Sequence, residues 1–205
     1  MSNLDNLPFN WFDVAIPIVL LLGVRQGRKN GLSVELLGAF KWLAIVFGCA
    51  LAYGPVSGFI TGSSTVFSLL AANLMAYLAA GLLIAALFAF MKKGVNGKLI
   101  GSDVFGNGEF YLGMVAGVIR FTCILFALLA LLNARYFPPA EVRAGLKYQN
   151  DVYGSDFFPT LHTVQSQVFE KSCAGPWIKN QLSWLLIKPA APQQAQLARK
   201  DFTLP

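Results

Sequence analysis

Asp13, Glu35 and Arg120 stand inside or at the edge of long apolar runs, where an isolated charge is costly. A carboxylate or guanidinium so placed can pair with an opposite charge or line a water-filled path. It can also sit at a helix end within reach of interfacial water. Arg120 lies near the middle of "FYLGMVAGVIRFTCILFALLALL", deeper than either acid. At about 100° per residue it shares one helix face with Gly113 and Gly117. It should therefore point into the bundle interior and meet a carboxylate or a backbone carbonyl. Asp13 and Glu35 are the candidate partners, and the three form a candidate intramembrane polar network. Pro17, four residues after Asp13, cannot donate to its carbonyl, which makes that spot more polar still. For each acid a plainer role competes, that of a carboxylate at a helix start complementing the helix dipole.

Other chemistry finds no support in the pattern. "GVRQGRKNG" and "GVNGKLIGSD" interleave glycines with basic residues and invite a phosphate-binding reading. A P-loop needs GxxxxGK followed by Ser or Thr, and in the second stretch Leu99 follows Lys98. The single histidine, His162, cannot build a multi-histidine metal site, and Cys49, Cys123 and Cys173 form no CxxC. No Ser-His-Asp order, HExxH or facing carboxylate pair is present. The expectation is a protein that is not an enzyme and uses neither cofactor nor metal. Net charge is +6, but the basic residues cluster beside apolar segments and form no stripe, so nucleic acid is not an expected partner.

The elements that must position these residues are membrane helices. Of 205 residues 56% are hydrophobic and 13% charged, about half the charge of an ordinary soluble domain. Residues 66–91 carry no charge at all. As a helix they would rise roughly 39 Å, more than the roughly 30 Å hydrocarbon core. Four spans are expected, at about 8–24, 32–53, 66–91 and 110–132, making an all-α integral membrane protein with a transmembrane domain over 1–133. Arg25, Arg28 and Lys29 lie between the first two spans, and Lys92, Lys93 and Lys98 between the last two. The connection between the second and third carries no charge. Basic connections favour the cytoplasm, which places both termini outside. The N-terminal run lacks a positive region and a cleavage site, so it reads as a retained span and not as a signal peptide.

Small residues recur at four-residue spacing. Gly23, Gly27 and Gly31 suit either a continuing helix with a close-packing face or, preferably, a helix that ends near Val24 and a short hairpin whose turn Gly27 and Gly31 supply. Gly113 and Gly117 form a shallow groove on the fourth span. Ala72, Ala76 and Ala80 form a packing face on the third, for neighbouring helices or subunits. The tail, 134–205, is polar and punctuated by Pro138-Pro139. Two amphipathic helices are expected in it, at about 157–171 and 176–188, either on the membrane surface, against a partner, or as a cap on the bundle. Residues 189–205 read as a flexible end.

The stretch "WFDVAIPIVLLLGVRQGRKNGLSVELLGAFKWLAIVFGCALA" resembles the N-terminal signature of the colicin V production protein (CvpA) family, through Asp13, Gly23, Gly27, Gly31 and Glu35. "GSDVFGNGEFYLGMVAGVIRF" resembles its second signature, through Asp103, Gly113, Gly117 and Arg120, although Val104 stands where that family has a basic residue. The resemblance implies a four-span bacterial inner-membrane protein associated with peptide toxin production or export and with envelope maintenance. Its expected partners are the lipid bilayer and other membrane proteins or copies of itself. The rival expectation is a small oligomeric channel or transporter whose polar path Asp13, Glu35 and Arg120 line.

Overall fold

The computed structural model describes residues 10–63, 67–95, 106, 108–154 and 159–190. Six helices are present among them: α1 (Trp11–Ser63), α2 (Leu69–Val95), α3 (Gly108–Asn133), α4 (Pro139–Tyr153), α5 (Leu161–Phe169) and α6 (Ala174–Gln181). A single 3₁₀ turn, Ser183–Leu185, follows α6. Helices α1, α2 and α3 are each long and apolar enough to cross a membrane. Only 11% of the most apolar stretch of α2 is buried, so the medium that its Leu78, Leu82, Leu83 and Phe90 side chains fit is lipid.

Four separate spans were the expectation; three such helices are found, because the first two expected spans are joined in α1. Arg, Gln and Lys are good helix formers, and the helix runs through Arg25, Gln26, Arg28 and Lys29 without a loop. Its one break is Gly31, at φ 70 and ψ 169, a conformation only glycine adopts without strain. The expected hairpin turn thus shrinks from a loop to one residue, between a first arm (11–30) and a second arm (32–63).

The direction of each arm follows from its contacts. Gly23 lies against Gly117, Gly27 against Gly113 and Gly31 against Glu109, so the first arm runs antiparallel to α3. The second arm turns back. Glu35 meets Arg120, Val46 packs with Cys123 and Ala127, and Tyr53 reaches Lys188 beside the end of α3. Both ends of α1 therefore lie at the C-terminal end of α3, and Gly31 lies at its N-terminal end. Helix α2 runs antiparallel along the second arm, with Tyr77 O accepting from Cys49 Sγ at 3.4 Å and Gly48 facing Ile84. Ala72 and Ala76 are fully buried in that contact and Ala80 is half-buried. This alanine face is thus used within the chain.

The tail closes the C-terminal end of α3. Carbonyls in a helix's last turn lack intrahelical donors; here Gln165 Nε2 donates to Leu132 O at 3.2 Å and Arg135 O at 3.0 Å. Ala190 N donates to Ala134 O at 2.9 Å, and Tyr136 N to Ala190 O at 3.1 Å. The stretch expected as one helix over 176–188 divides: α6 stops at Gln181, and a 3₁₀ turn leads into extended chain. Leu185, Leu186 and Ile187 are consecutive, so a helix would spread them over about 200°. The turn and extended chain bury all three, and Pro189 disfavours helix at Lys188. The helix expected over 157–171 is the shorter α5, started by Thr160, whose hydroxyl accepts from Thr163 N at 3.2 Å. Helix α4 was not expected. Pro139 opens it and Gly154, at φ 64, ends it by donating to Asn150 O. Of the segment expected to be flexible, Pro189 and Ala190 are placed against the bundle, while 191–205 lie outside the described residues, as do Lys98 and Asp103.

Candidate functional site

Glu35 sits in the first turn of the second arm, where the helix dipole favours a carboxylate. It is 1% exposed. Asn30 Nδ2 donates to its Oε1 at 2.6 Å, and Arg120 Nη1 donates to Oε2 at 3.0 Å and Oε1 at 3.3 Å. The pair forms because helical side chains lean toward their own N-terminus. From mid-α3, the guanidinium of Arg120 is carried toward the Gly31 end, to the level of Glu35. Gly38 leaves room: a β-carbon there would lie 3.6 Å from both Arg120 Nη1 and Glu35 Oε2. The Arg120 side chain remains 31% exposed, and its buried Nε has no hydrogen-bond partner.

Asp13 is not part of this cluster. It lies at the opposite end of α3, accepting from Asn10 N at 3.0 Å, Cys173 N at 3.0 Å and Ala174 N at 3.2 Å. Its carboxylate thereby joins the start of α1 to the start of α6, and Trp11 Nε1 donates nearby to Gln167 Oε1. The structure brings Glu35 and Arg120 together and separates Asp13 from both by an apolar core that includes Ile45, Cys49, Ala76 and Leu129.

Arg25, Arg28, Lys29, Lys92 and Lys93 are exposed at the Gly31 end. Trp11, Trp177 and Trp184 are exposed at the other. Beside the ion pair, a cavity of about 410 Å³ opens between the arms of α1, α2 and α3, with Gln26, Asn30, Lys41, Lys92 and Arg120 as its polar lining. The sequence reading did not single out Gln26, Asn30, Lys41 or Glu109. A signal for Lys41 was available: Val34, Leu37, Gly38 and Lys41 recur at helical spacing on one face. Glu109 accepts from Ser33 N at 3.4 Å across the break at Gly31, a contact that needs the fold to be seen. Among the described residues no group of His, Cys, Asp or Glu could hold a metal ion.

No family model, curated protein or solved structure matches this chain. What defines it is its class: among the described residues, an all-helical protein with three helices fit to cross a membrane, and a carboxylate–guanidinium pair built between them.

Proposed function

We propose that the chain is a four-crossing protein of the bacterial cytoplasmic membrane that acts without catalysis, by holding membrane partners or copies of itself together. Each arm of α1 supplies one crossing: twenty residues of helix rise about 30 Å, the thickness of the hydrocarbon core. The exposed basic residues at the Gly31 end favour the cytoplasm, and the tryptophans at the far end suit an outer interface, so both termini lie outside. A role in peptide toxin production or export and in envelope maintenance is what the colicin V production resemblance implies. That part of the proposal is supported by the glycine and charge motifs.

The observation that favours the partner-holding reading over the channel is the separation of the polar groups. Glu35 is paired with Arg120 at one end, Asp13 caps helices at the other, and the core between is mostly apolar, with Asn73 and the Tyr77 hydroxyl as isolated buried polar groups. Such an arrangement supports the fixing of helices over a continuous polar path. Surfaces left for partners are the outer face of α2 and the end of the second arm, where Gly54, Gly58 and Gly62 have nothing within 4 Å of a built β-carbon. Photocrosslinkers at Phe59 and Phe90 in native membranes should give discrete adducts. Liposomes holding the purified chain should leak ions no faster than empty ones. A conductance that disappears in Arg120→Leu would replace this reading with the channel.

A further inference from the structure

The basic cavity beside Arg120 continues into an apolar groove of about 560 Å³ along the second arm and α2, and the two share Leu37 and Phe88. We propose that together they form one binding site for an anionic phospholipid of the leaflet at the Gly31 end. The inference rests on the membrane placement proposed above, but not on the partner-holding role.

The head of the site is electropositive. Lys41, Lys92 and Arg120 line it, with the amides of Gln26 and Asn30 between them, and no acid lines it. Glu35, the carboxylate beside it, is fully occupied by Asn30 and Arg120 and offsets only one of the three cations. Among the described residues neither Lys41 nor Lys92 has an ion-pair partner. Lys41 stands ten residues past Gly31, about 15 Å along the arm; its ammonium lies 5.7 Å from the centroid of the Trp42 ring, and at that depth an ammonium without an anion is costly. Lys41 leans toward the Gly31 end and Lys92, on an antiparallel helix, leans away from it, so the two ammonium groups converge on one level. A lipid phosphate at that level would accept from both and from the free donors of Arg120.

The groove gives the site its direction. Leu37, Phe40, Leu43 and Phe47 follow one another along the second arm, facing Phe88 and Met91 of α2. From Leu37 to Phe47 the helix rises about 15 Å, half the depth of the hydrocarbon core. The groove runs from the head cavity away from the basic end, which is the course of an acyl chain whose headgroup lies at that end. At the far limit the Phe47 ring meets Trp184, centroids 5.6 Å apart. A soluble anion would need the cavity but not the groove; the continuity of the two selects a lipid.

Native mass spectrometry of the full-length chain in detergent tests this, with phosphatidylglycerol and phosphatidylcholine as probes. One phosphatidylglycerol should remain bound under conditions that strip phosphatidylcholine, with at least a tenfold preference. Lys41→Gln/Lys92→Gln should reduce that preference fivefold or more. Ala44→Trp, which places a large ring in the groove lining, should reduce retention of both lipids while the thermal unfolding midpoint stays within a few degrees. Equal retention of the two lipids by the unaltered chain would overturn the proposal. So would competition by glycerol phosphate as effective as by the intact lipid, since that describes an anion site only. Cysteine labelling of the two membrane sides separates the failures: a chain that does not span with its basic end inside sinks the membrane placement. A correctly placed chain that ignores headgroup charge sinks the lipid site alone.

Discussion

Gly27 and Gly113 bring two helix backbones so close that a methyl group on Gly27 would overlap the carbonyl of Gly113, and one on Gly113 would lie 2.6 Å from Gly27 O. Gly27→Ala should therefore separate α1 from α3 and sharply lower the amount of folded protein recovered from membranes. Gly58→Ala, with open space at its β-carbon, should leave recovery unchanged; equal losses in the two variants would contradict this packing. The ion pair makes a second, asymmetric prediction. Arg120→Met strands Glu35, whose side chain is 0% exposed, and should cost about 3–5 kcal/mol. Glu35→Gln leaves a guanidinium whose side chain is 31% exposed and which keeps an amide oxygen as acceptor, and should be milder. Thermal unfolding in detergent would show the ordering. That Arg120 needs a partner was legible from one charge in an apolar run. Which acid it meets was not, because Asp13 and Glu35 differ in their distance from Arg120 only once the chain has reversed at Gly31.

Helix α2 and helix α3 were legible because long apolar runs, one uncharged and one with the single charge of Arg120, can be little else in a chain of this composition. Helix α4 was not, since polar and apolar residues mix in it without a long apolar run and its Pro138-Pro139 start reads equally as a linker. The extended strap after α6 was hidden for another reason. Trp177, Ile178 and Leu182 follow helical spacing, and only the buried pocket for Leu186 and Ile187, 1% and 0% exposed, shows that the period stops. Truncating Ile187→Ala should accordingly cost about 2–5 kcal/mol, measurable by chemical unfolding in mixed micelles; a loss under about 0.5 kcal/mol, the range of surface changes, would mean that the strap does not close the core. The break in α1 shows how little sequence separates a continuous helix from a reversal. Gly31→Ala must either hold alanine at φ 70 and ψ 169, a region open essentially to glycine alone, at about 1–3 kcal/mol, or straighten the arm and lose the Glu109 contact. Gly31→Asn should be tolerated no better than Gly31→Ala, because asparagine's ease at positive φ belongs to the left-handed helical region, far from the ψ of 169 found here.

The molecule as a whole is polarised along one axis, and its cysteines provide a way to read that axis. Cys173 is exposed, while Cys49 and Cys123 are buried, so a membrane-impermeant maleimide can report one native position without engineering. Cys173 shares its end of the bundle with Asp13 and with the end of α3; Lys29 and Lys93 are exposed at the other. If the basic end faces the cytoplasm, Cys173 labels in spheroplasts with sealed membranes. Cysteines placed at Lys29 or Lys93 in a Cys173→Ser background then label only after the membrane is opened. The reverse pattern would overturn the outside placement of both termini, and with it the leaflet assigned to the lipid site. Labelling of Cys173 and of a cysteine at Lys29 from the same side would be more damaging. It would mean that the first arm of α1 does not cross, since Asp13 at its start is tied to Cys173 and Lys29 lies near its end. Changing Arg25, Arg28 and Lys29 together to Gln weakens the positive-inside bias at the reversal. It should yield a mixed labelling pattern, while Lys41→Gln, inside the cavity wall, should leave the orientation as it was.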